Sequence, residues 1–110
     1  MNVIEKDTGE KIAYAVTRNK ITFADELALN LEKYERDDPN HIDVCKDRFR
    51  NLVTGVIPGV AEVYVAQIDI PAREYDFIAD GVDENGEPKE APVPISFDIE
   101  KCTLTLWALE

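Results

Sequence analysis

His41, Asp43 and Cys45 are the residue types of a cysteine-hydrolase triad, and they alternate with Ile42 and Val44. Alternation of this kind predicts a strand. All three side chains then leave one face at intervals of roughly 6.7 Å, with His41 and Cys45 about twice that apart. A base must come within about 3 Å of its nucleophile, so a single strand cannot close the triad, and His41 is the chain's one histidine. No catalytic residue is assigned, and the chain is expected not to be an enzyme.

Asp83-Glu84-Asn85-Gly86 looks like the middle of a calcium-binding EF-hand loop. Aligning Gly86 with the turn glycine puts Gly81 and Pro92 where the first aspartate and the bidentate glutamate must stand, so the motif fails at both ends. Asn85-Gly86 is better explained as a hairpin tip, because both residues tolerate positive φ. Asp69, Glu74, Asp76 and Asp98 lie in or beside expected strands, and two of them could meet across a sheet at a glycosidase-like separation. A small carboxylate-dependent enzyme is therefore a third-ranked reading; with 23 acids in the chain, exposed strand faces account for nearly all of them. The chain holds no phosphate-cradling glycine loop, nucleophile elbow or zinc-spaced Cys/His set. No cofactor or metal is expected.

The elements that would carry these residues read as a mainly β protein. Short alternating or β-branched segments are separated by turn residues about every eight to twelve positions, the pattern of an antiparallel meander closing into a sandwich or a partly open barrel. Val3 to Lys6 and Lys11 to Thr17 flank Asp7-Thr8-Gly9 as an expected hairpin; Lys46 to Asn51 turns a second, and Pro58-Gly59 leads into the longest strand. In that strand Val63 and Val65 are in odd phase and Ile68 and Ile70 in even phase. Such a slip implies a bulge, a sheet corner or burial of both faces, and a corner is favoured. At most one helix is expected, near 22–36, where Phe23, Leu27, Leu31 and Tyr34 form a stripe behind a Thr22 cap; Leu27, Leu29 and Leu31 also alternate as a strand would, and an α+β fold is the alternative.

One domain over 1–110 is expected, since 110 residues can bury one adequate core. Its net charge is −11, divided as −2 over residues 1–55 and −9 over 56–110. Asp80, Asp83, Glu84, Glu87 and Glu90 fall in a stretch read as a solvated acidic loop at 80–92 and as a candidate acidic contact surface. Direct nucleic-acid binding is excluded at this charge, because phosphate affinity comes from Lys and Arg. No apolar run approaches the roughly 20 residues of a membrane span. Glu5, Lys6 and Asp7 stand where a secretory signal would be apolar, so a cytoplasmic location is expected. Cys45 and Cys102 are then expected to be free thiols.

Thr103, Thr105, Trp107 and Leu109 share one face of the last expected strand. A strand at the chain's end is expected at a sheet edge, where an unpaired, partly apolar border templates pairing with another chain, so these four are the candidate interface of a homodimer. The alternative is a central strand with Trp107 in the core.

The segments Asp7-Thr-Gly-Glu-Lys-Ile-Ala-Tyr14, His41-Ile-Asp-Val-Cys45, Tyr64-Val-Ala-Gln-Ile-Asp-Ile-Pro-Ala-Arg-Glu-Tyr75 and Thr103-Leu-Thr-Leu-Trp-Ala-Leu109 resemble a group of short uncharacterised proteins from Gram-positive gut bacteria, often associated with mobile elements. The resemblance implies a bacterial cytoplasm and an accessory role in a prophage or conjugative element; it carries no catalytic motif, cofactor or activity. The leading expectation is a non-enzymatic protein-interaction or structural module. The runner-up is an acidic decoy that imitates nucleic acid on the basic surface of a nucleic-acid-binding protein.

Overall fold

A computed structural model describes residues 1–56 and 61–109, the side chains of 61 and 62 excepted. It is mainly β, 54% strand with no α-helix, and its sheets do not close into a barrel. The strands are β1 (Asn2–Glu5), β2 (Tyr14–Thr17), β3 (Lys20–Phe23), β4 (Leu27–Asn30), β5 (Asn40–Asp47), β6 (Leu52–Thr54), β7 (Ala61–Ile70), β8 (Tyr75–Val82), β9 (Pro88–Pro94) and β10 (Thr103–Leu106). Two single 3₁₀ turns, Leu31–Tyr34 and Ile99–Lys101, complete the described elements. No helix among the described residues is long and apolar enough to cross a membrane.

Five strands pair in the order β1-β10-β7-β5-β6, and β2-β3-β4 form a smaller meander. Ile42, Val44, Ile68, Ile70, Leu104 and Leu106 project from the large sheet into one buried cluster with Ile21, Phe23 and Leu29 of the small sheet. The alternation in β5 and β10 is the mark of strands with one face buried.

Residues 22–36 form no α-helix; their one helical piece is the 3₁₀ turn Leu31–Tyr34. Ala24 and Asp25 hold φ of 51° and 56°, so the Phe23–Glu26 turn has the left-handed centre that matches strand twist, and β4 pairs with β3. Burial of Leu29 and Leu31 outweighs helix propensities of a few tenths of a kcal/mol per residue.

The expected hairpin around Asp7-Thr8-Gly9 also gives way. β1 runs parallel to β10, and β2 pairs with β3 across the two-residue turn Arg18-Asn19. The Asp7–Lys11 segment instead clips the C-terminal segment. The Asp7 carboxylate accepts the Ala108 N–H at 2.7 Å, and Leu109 N–H donates to Glu10 O at 2.7 Å. Gly9 (φ 125°) passes so close that a Cβ there would lie 3.1 Å from Ala108 Cβ.

The phase slip in β7 is a bulge rather than the favoured corner. Val44 pairs with Ala66 and Cys45 with Tyr64, leaving Val65 as the extra residue. Val65 and Ala66 are consequently both buried.

The acidic stretch at 80–92 is no plain loop either. β8 and β9 form a long hairpin with its tip at 83–87, where the Asp83 carboxylate accepts the Asn85 and Glu87 N–H groups. The sequence reading of Asn85-Gly86 as a tip agrees with this, but Asp80 and Glu90 lie within the strands. Asp80 and Gly81 together face Lys89 in a bulge, and Gly81 takes the positive φ of 76° that such a site favours. Extents of 64 × 26 × 23 Å and a radius of gyration of 18.7 Å follow from this arm; a compact chain of this length would have about 13 Å.

Candidate functional site

The bulge-free half of β7 holds two side chains against β5 on the solvent face of the large sheet. His41 lies opposite Asp69, and Asp43 opposite Gln67. His41 Nδ1 meets Asp69 Oδ1 at 2.6 Å, and His41 Nε2 meets Asp43 Oδ1 at 2.6 Å. Gln67 Nε2 donates to the same Asp43 oxygen at 3.0 Å, and Trp107 Nε1 donates to Gln67 Oε1 at 3.1 Å. A continuous chain of polar contacts thus runs from Asp69 to the indole.

Both carboxylates accept only when His41 is an imidazolium donating from both nitrogens. The Asp69 hydrogen bond raises the His41 pKa above its ordinary value; partial burial opposes this, and the Asp43 hydrogen bond and both carboxylate charges add to the rise. Because the folded pKa exceeds the unfolded one, the contribution to stability is fully present below about pH 6.5 and is lost as pH rises through the folded pKa. The side chain is 44% exposed, so the effect is small. We expect denaturation stability of the native chain to fall across that window relative to His41→Gln, and parallel profiles would contradict it.

His41, Asp43 and Cys45 do not close into a hydrolase triad. Neither imidazole nitrogen is left to take a proton from a nucleophile. Cys45 is fully buried between its strand partners Tyr64 and Val53, and burial, then the Asp43 charge, pushes its thiol pKa up. Cys102 is likewise buried, its pKa pushed up to about 11 by burial. Both are free thiols. Thiolate is the reactive form, so thiol titration should find two groups in denaturant and only slow reaction in native protein; fast native labelling would refute their burial.

The last strand is not at the expected sheet edge. β10 lies between β1 and β7 with both edges paired. Thr105 is buried, and Thr103, Trp107 and Leu109 are half-buried. Trp107 N–H donates to Val65 O at 3.2 Å, so the chain beyond β10 is tied to β7 as well. The edge expectation rested on β10 ending the chain, but β1, from the opposite terminus, covers that border.

The remaining acids are dispersed. Glu74 pairs with Lys101 at 3.1 Å, and Asp98 caps a 3₁₀ turn through the Glu100 N–H. Tyr75 donates its hydroxyl to Asp37, while Asp69 lines one depression beside His41 and Asp98 lines another. Among the described residues no three His, Cys, Asp or Glu side chains are grouped to hold a metal ion.

The five acids of the candidate contact surface, by contrast, all lie on the arm. From Tyr75 to Pro94 the arm carries six carboxylates and one lysine. Its base is pinned by the Tyr75–Asp37 bond and by Arg73, which donates to Glu35 Oε1 and to Asp37 Oδ1. Beyond the base, Phe77, Ile78 and Val82 are 64%, 54% and 61% exposed. Phe77 lies opposite Pro92, and Ile78 opposite Ala91 beside Val93, so both arm faces present apolar groups. Sequence reasoning missed these residues because a strand with no buried face shows no period-two pattern.

No family model, curated protein or solved structure matches the chain.

Proposed function

We propose that the chain is a non-enzymatic interaction or structural module that docks through the β8–β9 arm. The carrying observation is that the arm leaves Phe77, Ile78 and Val82 in solvent on a two-stranded ribbon. Such ribbons are at best marginally stable alone, and large exposed apolar side chains grouped on one element mark interaction sites. Pro92 and Pro94 remove N–H donors from β9, which disfavours edge-to-edge strand addition there and leaves the two faces for contact. The proposed setting, following the resemblance, is an accessory role for a bacterial mobile element in the cytoplasm.

A photocrosslinking residue placed at Phe77 in growing cells tests this reading. A discrete protein adduct, missing when the crosslinker is at Tyr14 on the body, supports it; no adduct at Phe77 overturns it. The decoy reading uses the same carboxylates and requires the adduct to be a nucleic-acid-binding protein released by salt. The apolar residues between the acids favour the module, because pure phosphate mimicry has no use for Phe77.

A further inference from the structure

The end of the large sheet remote from the arm has the opposite character. Lys46, Arg48 and Arg50 cluster at the β5–β6 turn, and with Val63, Val65 and Leu109 they line a depression of about 270 Å³. That is smaller than the roughly 300–1,000 Å³ of ordinary small-molecule sites, and suits inserted side chains better than a free ligand. Phe49 in the same turn is 70% exposed, with the Arg48 guanidinium 5.1 Å over its ring. Asp47, the acid in this turn, also lines the depression; its Oδ1 accepts the Phe49 and Asn51 N–H groups at 2.8 and 2.9 Å. Among the described residues, none of the three cations forms an ion pair.

Topology separates this end from the arm. Lys46 and Asp47 pair with Val63 and Ala61 at the start of β7, whereas the arm departs after Ile70 at its end. Ten strand residues span about 30 Å, about half of the molecule's 64 Å length. The arm therefore cannot reach its own chain's cationic end.

We infer that copies of this chain assemble head to tail, the acidic arm of one seating Phe77 and its neighbours on the Lys46–Arg50 end of the next. The inference rests on the reading of the arm as the docking element and names its partner as a second copy. Charge and shape both match: net −5 with projecting apolar groups on the arm, and at the other end three cations against one acid, Asp47, around a depression that Val63, Val65 and Leu109 also line. Two different surfaces make a heterologous contact, which grows into open chains or closes into rings rather than stopping at a two-fold dimer.

Sedimentation over a concentration series at physiological salt, where the Debye length is about 8 Å, tests this. The wild-type weight-average mass should climb past two copies. An arm variant (Asp80→Lys, Glu87→Lys, Glu90→Lys) and an end variant (Arg48→Glu, Arg50→Glu) should each associate about tenfold or more weakly, as like-charge juxtaposition requires. Mixed together, the two variants meet with opposite charges at both contacts, wild-type arm on wild-type end and lysine arm on glutamate end, so association should return; this also shows that both are folded. A wild-type chain monomeric throughout, or a dimer saturating at two copies and indifferent to both variants, overturns head-to-tail assembly. If the Phe77 crosslink then joins a different protein, the docking role of the arm survives without it; if there is no crosslink either, both readings fall.

Discussion

Phe23→Ala is expected to cost about 3–5 kcal/mol, a large part of the roughly 5–15 kcal/mol that holds a domain folded. Phe23 is fully buried. It sits in β3, the middle strand of the small sheet, and with Ile21 and Leu29 it forms that sheet's contribution to the shared cluster, which Leu31 of the following 3₁₀ turn joins. Truncation removes the ring's transfer free energy and leaves a cavity that close-packed neighbours fill only in part. The cross-strand partner Tyr14 is the control, being half in solvent on the edge strand β2; Tyr14→Ala should cost about 1 kcal/mol or less. Denaturant titration of both variants gives the comparison. A Phe23→Ala cost below about 1 kcal/mol would mean that the small sheet does not pack on the large one.

Alternation made part of this fold legible. Ile42 and Val44, and Leu104 and Leu106, lie in strands with one face against the core, so their period of two pointed to burial directly. The slip between Val65 and Ile68 was legible as a disturbance. Its form was not, because a bulge and a corner leave the same phase change and differ only in whether the partner strand follows. Residues 22–36 were ambiguous for a different reason: Leu27 and Leu31 satisfy both periods, and the positive φ at Ala24 and Asp25 that turns β3 into β4 is not written in either. The pairing of β1 with β10 joins residues about a hundred positions apart, and local pattern carries no trace of it.

The candidate site divides in the same way. That His41 and Asp43 share a face follows from alternation; that Asp69 and Gln67 stand opposite them depends on the β5–β7 register, which the bulge sets. The Lys46, Arg48 and Arg50 cluster was visible as a turn but had no meaning until the structure set it at the far end of β7 from the acidic arm. Acids and prolines made the arm look like a loop. In fact β9 tolerates Pro92 and Pro94 because no third strand needs their missing donors.

The position of β10 gives the second large effect. Thr105 pairs with Ile4 of β1 on one side and Gln67 of β7 on the other. Trp107 N–H donates to Val65 O of β7, so by alternation the Thr105 N–H also faces β7. Thr105→Pro deletes that donor in the middle of the sheet and orphans a buried carbonyl, costing about 1–3 kcal/mol, and the ring must also displace a strand paired on both sides. Val3→Pro is the matched control. Asn2 and Lys6 N–H groups donate to Cys102 O and Leu106 O, so the Val3 N–H points away from β10 on the sheet's outer border, and its removal breaks no ladder bond. Thr105→Pro should therefore be destabilised by more than about 3 kcal/mol, with Val3→Pro within about 1 kcal/mol of wild type, as measured by thermal and denaturant unfolding. Equal tolerance of both prolines would return β10 to an edge, and with it Thr103, Thr105, Trp107 and Leu109 as a pairing surface. Unequal tolerance places β10 inside the sheet, with β1 as its outer border.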